Sequence, residues 1–155
     1  MATIEPERLK ALYWVALLLG LREGELLGLQ LDDLDLDNRT LGVSGAAQYQ
    51  KGRGIVIVPA KTAASETRLP IPDLLVPVLR DHLAMLDEER TYDKWREQGL
   101  LFPSTKGTPI SNRNLIRHFK AMLQRAELPD IRFHDLRHLC AWSWKPFAIH
   151  RSQRP

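Results

Sequence analysis

The sequence predicts an α+β domain, mainly helical, with a small three-stranded antiparallel sheet. Three observations carry this. Apolar residues recur at helical spacing in separate stretches, about residues 6–19, 74–89 and 111–126. Short β-branched runs bounded by turn residues gather between the first two, within 39–71. No repeat, low-complexity tract or linker divides the 155 residues, a length that suits one domain with a real core.

The first helix is expected from Pro6, which suits a first turn, to Leu19, where Gly20 breaks it. The run Ala11–Leu21 (ALYWVALLLGL) is apolar enough to pass for a signal segment. Glu5 and Glu7 precede it, Arg22-Glu23 follow, and it carries no small-x-small cleavage site. It is also too short to span a bilayer, so it reads as a buried core helix and no membrane partner is expected. Arg22–Leu29 (REGELLGL) reads as a second, short helix with Leu26, Leu27 and Leu29 on its apolar side. Arg22 and Glu25 lie three apart on it, a spacing at which a carboxylate pins a guanidinium, although an isolated surface pair is worth little. Asp32, Asp33, Asp35 and Asp37 form an acidic exit read as solvated surface, because no His or Cys sits nearby to complete a metal site.

Three strands are expected next: Arg39–Ser44, Ile55–Pro59 and Arg68–Ile71, the last an edge strand because of Pro70. A loop, Gly45–Gly54, joins the first two, and a tip, Ala60–Glu66, carries Lys61 among small residues. Pro72-Asp73 opens a helix from Leu74 to Glu89, and one or two helical turns are expected within Thr91–Gln98. Ser111 is the expected N-cap of a helix to Ala126, whose Arg113, Arg117, Lys120 and Arg125 make a basic side.

Charge is placed unevenly. Residues 1–50 hold four basic and eight acidic side chains; residues 51–155 hold eighteen and eleven. The basic part suits a polyanionic partner such as DNA. Cys140, the single cysteine, allows no internal disulfide and fits a reducing cytoplasm.

His134-Asp135-Leu136-Arg137-His138 sets an imidazole and a guanidinium three positions apart. If helical, they share a face and can grip one phosphate, Arg137 through two parallel hydrogen bonds. Taken alone, a solvated basic helix start, with Asp135 favourable to the helix dipole, is the commoner reading.

With Gly20-Leu21-Arg22-Glu23-Gly24-Glu25-Leu26-Leu27-Gly28-Leu29, with Pro59-Ala60-Lys61-Thr62 followed by Ser65, Arg68, Leu69 and Pro70, and with HDLRH, the chain resembles the catalytic domain of tyrosine recombinases, the phage integrase family. The resemblance runs to about Ala141, with 142–155 left as an atypical tail expected to be poorly ordered. It implies a tyrosine-recombinase catalytic-domain fold and a DNA strand transferase of site-specific integration or excision. Arg22 and Arg137 would hold the non-bridging oxygens of the scissile phosphate. Lys61 would protonate the leaving 5′-hydroxyl. His134 would assist proton transfer and bind the phosphate, and Glu25 would support Arg22; His138 is counted with Glu25 as supporting. The four catalytic side chains would converge on one basic pocket. No cofactor and no metal are expected, since two guanidiniums can neutralise the charge that metal ions neutralise elsewhere.

The family's nucleophile is a tyrosine well downstream of His-x-x-Arg. Tyr13, Tyr49 and Tyr92 all precede HDLRH, so no nucleophile is assigned. With no N-terminal clamping domain in view and Pro146 interrupting the tail, the sequence reads as an isolated, truncated catalytic domain. The rival reading is a DNA-binding remnant without chemistry, or a competitor of an intact recombinase. Expected partners are DNA and, on it, further copies or an intact recombinase.

Overall fold

The computed structural model describes residues 8–60 and 67–143. Helix α1 spans Lys10–Leu19 and packs against α3 (Leu75–Glu89) and α5 (Asp135–Ser143). Its Leu12, Val15 and Ala16 join the core with Leu75 and Leu79 of α3 and Leu115, Phe119 and Leu123 of α4 (Asn112–Arg125). Gly20 ends α1 as expected: at φ 63° it adopts the left-handed conformation that lets its N–H reach back to Ala16 O at 3.1 Å. Ser111 caps α4, its Oγ accepting from the Asn114 N–H at 3.2 Å. The expected start of α1 at Pro6 lies outside the described residues, as do Lys61 and residues 144–155 of the tail. Helix α5 continues to Ser143, past the core boundary expected at 141.

The three-stranded antiparallel sheet is present, with a different membership. Its order is β1 (Leu34–Asp35), β2 (Thr40–Val43), β5 (Thr67–Pro70), and β5 is an edge. The IVIVP run lies outside it, in β4 (Gly54–Pro59), paired antiparallel with β3 (Gly45–Gln50). The segment expected as a loop is therefore mostly a strand. Its small residues, with little β preference of their own, are selected by what lies over them. A short helix, α2 (Glu23–Gly28), packs on β3. A Cβ on Gly28 would meet the Ala46 Cα and Ala47 N at 2.8 Å, and one on Gly24 the Ala47 O at 3.1 Å. Glycine on the helix and alanine on the strand let two backbones approach, which bulkier strand formers would prevent.

The acidic exit is more than solvated surface. Asp33 Oδ2 accepts from the Gln30 N–H at 2.8 Å and from Ser44 Oγ at 3.0 Å, pinning the residue at which the chain passes from one sheet to the other. Asp35 accepts from the backbone and side-chain amides of Asn38, which hold its carboxyl below the ordinary range. No group of three His, Cys, Asp or Glu among the described residues is placed to hold a metal ion.

Residues 91–94 form turns and 95–98 run irregularly, without the expected helical turns. Behind them, Arg8 is buried at 4% exposure, with Nε and Nη2 on the Glu89 carboxylate at 2.8 and 2.7 Å and further bonds to the Pro103 and Ser104 carbonyls. This satisfies a charge that apolar surroundings would otherwise reject. His82, also buried, donates from Nε2 to Leu101 O at 2.7 Å; burial pushes its pKa down. No described helix is long and apolar enough to cross a membrane.

Candidate functional site

Arg22 stands immediately before α2, where its extended backbone (φ −68°, ψ 150°) lets the helix start at Glu23. Glu25, three residues on, accepts from the Arg22 N–H at 2.8 Å through Oε2 and lies 3.5 Å from Nη1 through Oε1. One carboxylate thus fixes the helix start and leans on the guanidinium. That side chain remains 68% exposed, held at its root and open at its tip.

His134 and Arg137 lie at the start of α5. The helix begins at Asp135, so His134 precedes it and is not on a helical face with Arg137. The backbone still joins them, Arg137 N–H donating to His134 O at 3.1 Å. The turn is braced from the side: Asp135 accepts from the Arg132 N–H at 2.9 Å and from its guanidinium at 3.2 Å. Those bonds, the backbone one first, hold the Asp135 carboxyl below the usual carboxylate range, so it stays ionised beside the helix N-terminus. With Asp135 engaged by Arg132, Arg137 has no carboxylate partner among the described residues. His138 meets His134 edge-on, ring centroids 5.2 Å apart.

The two groups share a scaffold. Gly20 and Leu21 alone separate α1 from Arg22, and α5 packs on α1. Phe133, buried just before His134, stacks edge-on with Phe119 of α4 at 5.2 Å and lies 6.3 Å from Tyr13 of α1. Tyr13 OH is 2.6 Å from His118 Nδ1, and burial raises the Tyr13 pKa. No hydrogen bond or ion pair among the described residues joins Arg22 to His134 or Arg137. Lys61 lies outside those residues.

Sequence reasoning missed the Arg132–Asp135 brace, although an Arg three residues ahead of an Asp signals it. It also missed Glu23, whose Oε1 is buried without a hydrogen-bond partner and whose pKa is raised by burial. The sequence singles out Glu25 by its spacing from Arg22 but gives no sign that Glu23 is buried.

A family model, that of the phage integrase family, matches residues 1–143. The chain belongs to the phage integrase family. A tyrosine recombinase XerC-like protein of Caldanaerobacter subterraneus subsp. tengcongensis is 34% identical over 152 residues, covering 89% of this chain and 39% of that protein. The integrase of Mycobacterium phage D29 is 31% identical over 120 residues, 76% of this chain and 30% of its own length. The chain thus spans well under half of these relatives. Among solved structures, the Tn1549 transposon integrase, determined with transposon right end DNA, superposes with a TM-score of 0.76 at 20% identity over 91% of this chain and 47% of that one. The lambda integrase catalytic core gives 0.54 at 20% identity over 94% and 76%. These likenesses establish the tyrosine-recombinase catalytic-domain fold.

Proposed function

We propose that this chain supplies the phosphate-holding part of a site-specific DNA recombination reaction, in which a strand is cut and rejoined by phosphoryl transfer. The observation that carries the reading is that Arg137, joined to His134 by a backbone hydrogen bond, has no carboxylate partner among the described residues, in a turn whose one acid is engaged by Arg132. Phosphoryl transfer gathers negative charge on the equatorial oxygens, and fixed donors aimed there lower the barrier. In this reading Arg22 and Arg137 bind those oxygens, with Glu25 keeping Arg22 in place. His134, with His138 at its edge, binds the phosphate and assists proton transfer. Lys61 delivers the proton the departing 5′-oxygen needs. The family membership supports the same assignment, and the lone Cys140 accords with a cytoplasmic setting with access to DNA.

Covalent catalysis also needs an attacking oxygen in line with the leaving one. Tyr13 cannot supply it while its half-buried hydroxyl is bonded to His118. Tyr49 is exposed on β3, away from HDLRH in sequence. The 155 residues by themselves should therefore bind duplex DNA and form no phosphotyrosine link. A suicide substrate run on a denaturing gel checks this; an adduct lost in Tyr49→Phe overturns it. Arg22→Ala and Arg137→Ala should each weaken duplex binding about equally for any sequence, since phosphate contacts position and do not specify. Unchanged affinity in both variants would defeat the reading.

A further inference from the structure

Residues 93–96 and 104–108 build a second cationic concavity. Ser104–Thr108 is a self-bonded turn: Ser104 N–H donates to Thr108 O at 2.7 Å, Gly107 N–H to Ser104 O at 2.9 Å, and the two hydroxyls lie 2.8 Å apart. Arg96 N–H donates to Lys106 O at 2.8 Å, joining the turn to the other segment. Gly107, at φ 78°, is buried against Arg96, and any Cβ there would collide with the Arg96 carbonyl oxygen. The separation of the two segments is fixed by backbone contact.

Between them lies a cleft of about 490 Å³ lined by Asp93, Lys94, Trp95, Arg96, Lys106 and Thr108. Lys94, Arg96 and Lys106 have no acid partner among the described residues. The neighbouring acid, Glu97, is occupied by Arg90 at 2.8 Å, the Trp95 indole N–H at 3.1 Å and the Gly99 N–H at 2.7 Å. Three cations and one acid, Asp93, leave an excess of positive charge around one rigid concavity. Such an arrangement of exposed cations favours an anion between them.

We propose that this cleft is a second anion site, one that takes a phosphodiester of a nucleic-acid backbone apart from the phosphate held by Arg22, His134 and Arg137. Arg96 offers the planar fork that matches two phosphate oxygens, and the lysines add point charges from either side. The site rests on the DNA reading above and extends it to a stretch that HDLRH does not include.

The test is fluorescence anisotropy of a labelled duplex across a salt series, on the wild-type chain, Lys94→Gln/Lys106→Gln, and Arg22→Ala/Arg137→Ala. Losing one phosphate contact flattens the slope of log affinity against log salt by about 0.9. The lysine pair should flatten it by one to two such steps, equally in the wild-type and the arginine-variant backgrounds, because separate contacts add. Lys106→Arg should keep the wild-type slope. If the wild-type binds duplex and the lysine pair keeps its full slope, the second site falls while the DNA reading stands. If the wild-type does not bind duplex, the DNA reading falls and takes this site with it. Inorganic phosphate, followed through the Trp95 indole resonance, separates the sources. Saturation by free phosphate at concentrations as low as those of duplex would make this a small-anion site and overturn the nucleic-acid assignment.

Discussion

The two halves of the candidate site are held by opposite kinds of packing. Arg22 stands immediately before α2, which rests on β3 through glycine and alanine, nearly backbone against backbone. His134 stands just before α5 and Arg137 in its first turn, and this start is seated by rings: Phe133 on Phe119, with Tyr13 across from both. The first platform gains precision from missing side chains and fails when one is added. The second gains stability from buried aromatic area and fails when it is removed.

The largest effect should come from Phe133→Ala, at about 3–5 kcal/mol in denaturant unfolding, with loss of duplex binding as His134 and Arg137 lose their seat. A loss below about 1 kcal/mol would mean that α5 is held elsewhere. Gly28→Ala comes next. Its new methyl meets main-chain atoms of β3 that cannot rotate away, so about 1–3 kcal/mol is expected, against the usual gain for Gly→Ala inside a helix. A stabilised variant would remove the close-approach argument.

Tyr13→Phe should cost about 1 kcal/mol at neutral pH through the lost bond to His118. It should also change the alkaline limb. The Tyr13 pKa is raised in the folded state, so its contribution is intact below the ordinary 10.0 and lost as pH rises above that value. The wild-type should therefore weaken above pH 10 more steeply than Tyr13→Phe, and parallel curves would refute the link. Glu23→Gln should give the smallest change. The Glu23 pKa is raised by burial, so its contribution is present below the ordinary 4.5 and lost as pH rises through the folded value. Removing the charge should raise the melting temperature slightly at pH 7 and not at pH 4; an equal shift at both would show that charge is not the cause.

The same contrast explains what could be read from the sequence. The α1, α3 and α4 helices announce themselves because each buries one stripe at helical spacing, and α1 and α4 carry their own stop or cap in Gly20 and Ser111. HDLRH and the Arg22–Glu25 pair are legible because chemistry and spacing coincide. Strand β3 was not legible, since Gly45, Ala46 and Ala47 have little strand preference of their own and are held by pairing with β4 and, at the alanines, by the close approach of α2. The buried Arg8 and His82 were hidden for a related reason: a polar side chain inside the core is tolerable only with partners far away in the chain, which no local window contains.

Arg8 carries a consequence for synthesis. Among the described residues its guanidinium is matched by Glu89, Pro103 and Ser104, 81 to 96 positions later. While the chain grows from the ribosome at roughly 5–20 residues per second, α1 has no way to settle its charged end for several seconds. Helix α1 is thus made well before these partners and docked late, and chains released before residue 104 should be the ones that chaperones and proteases retain.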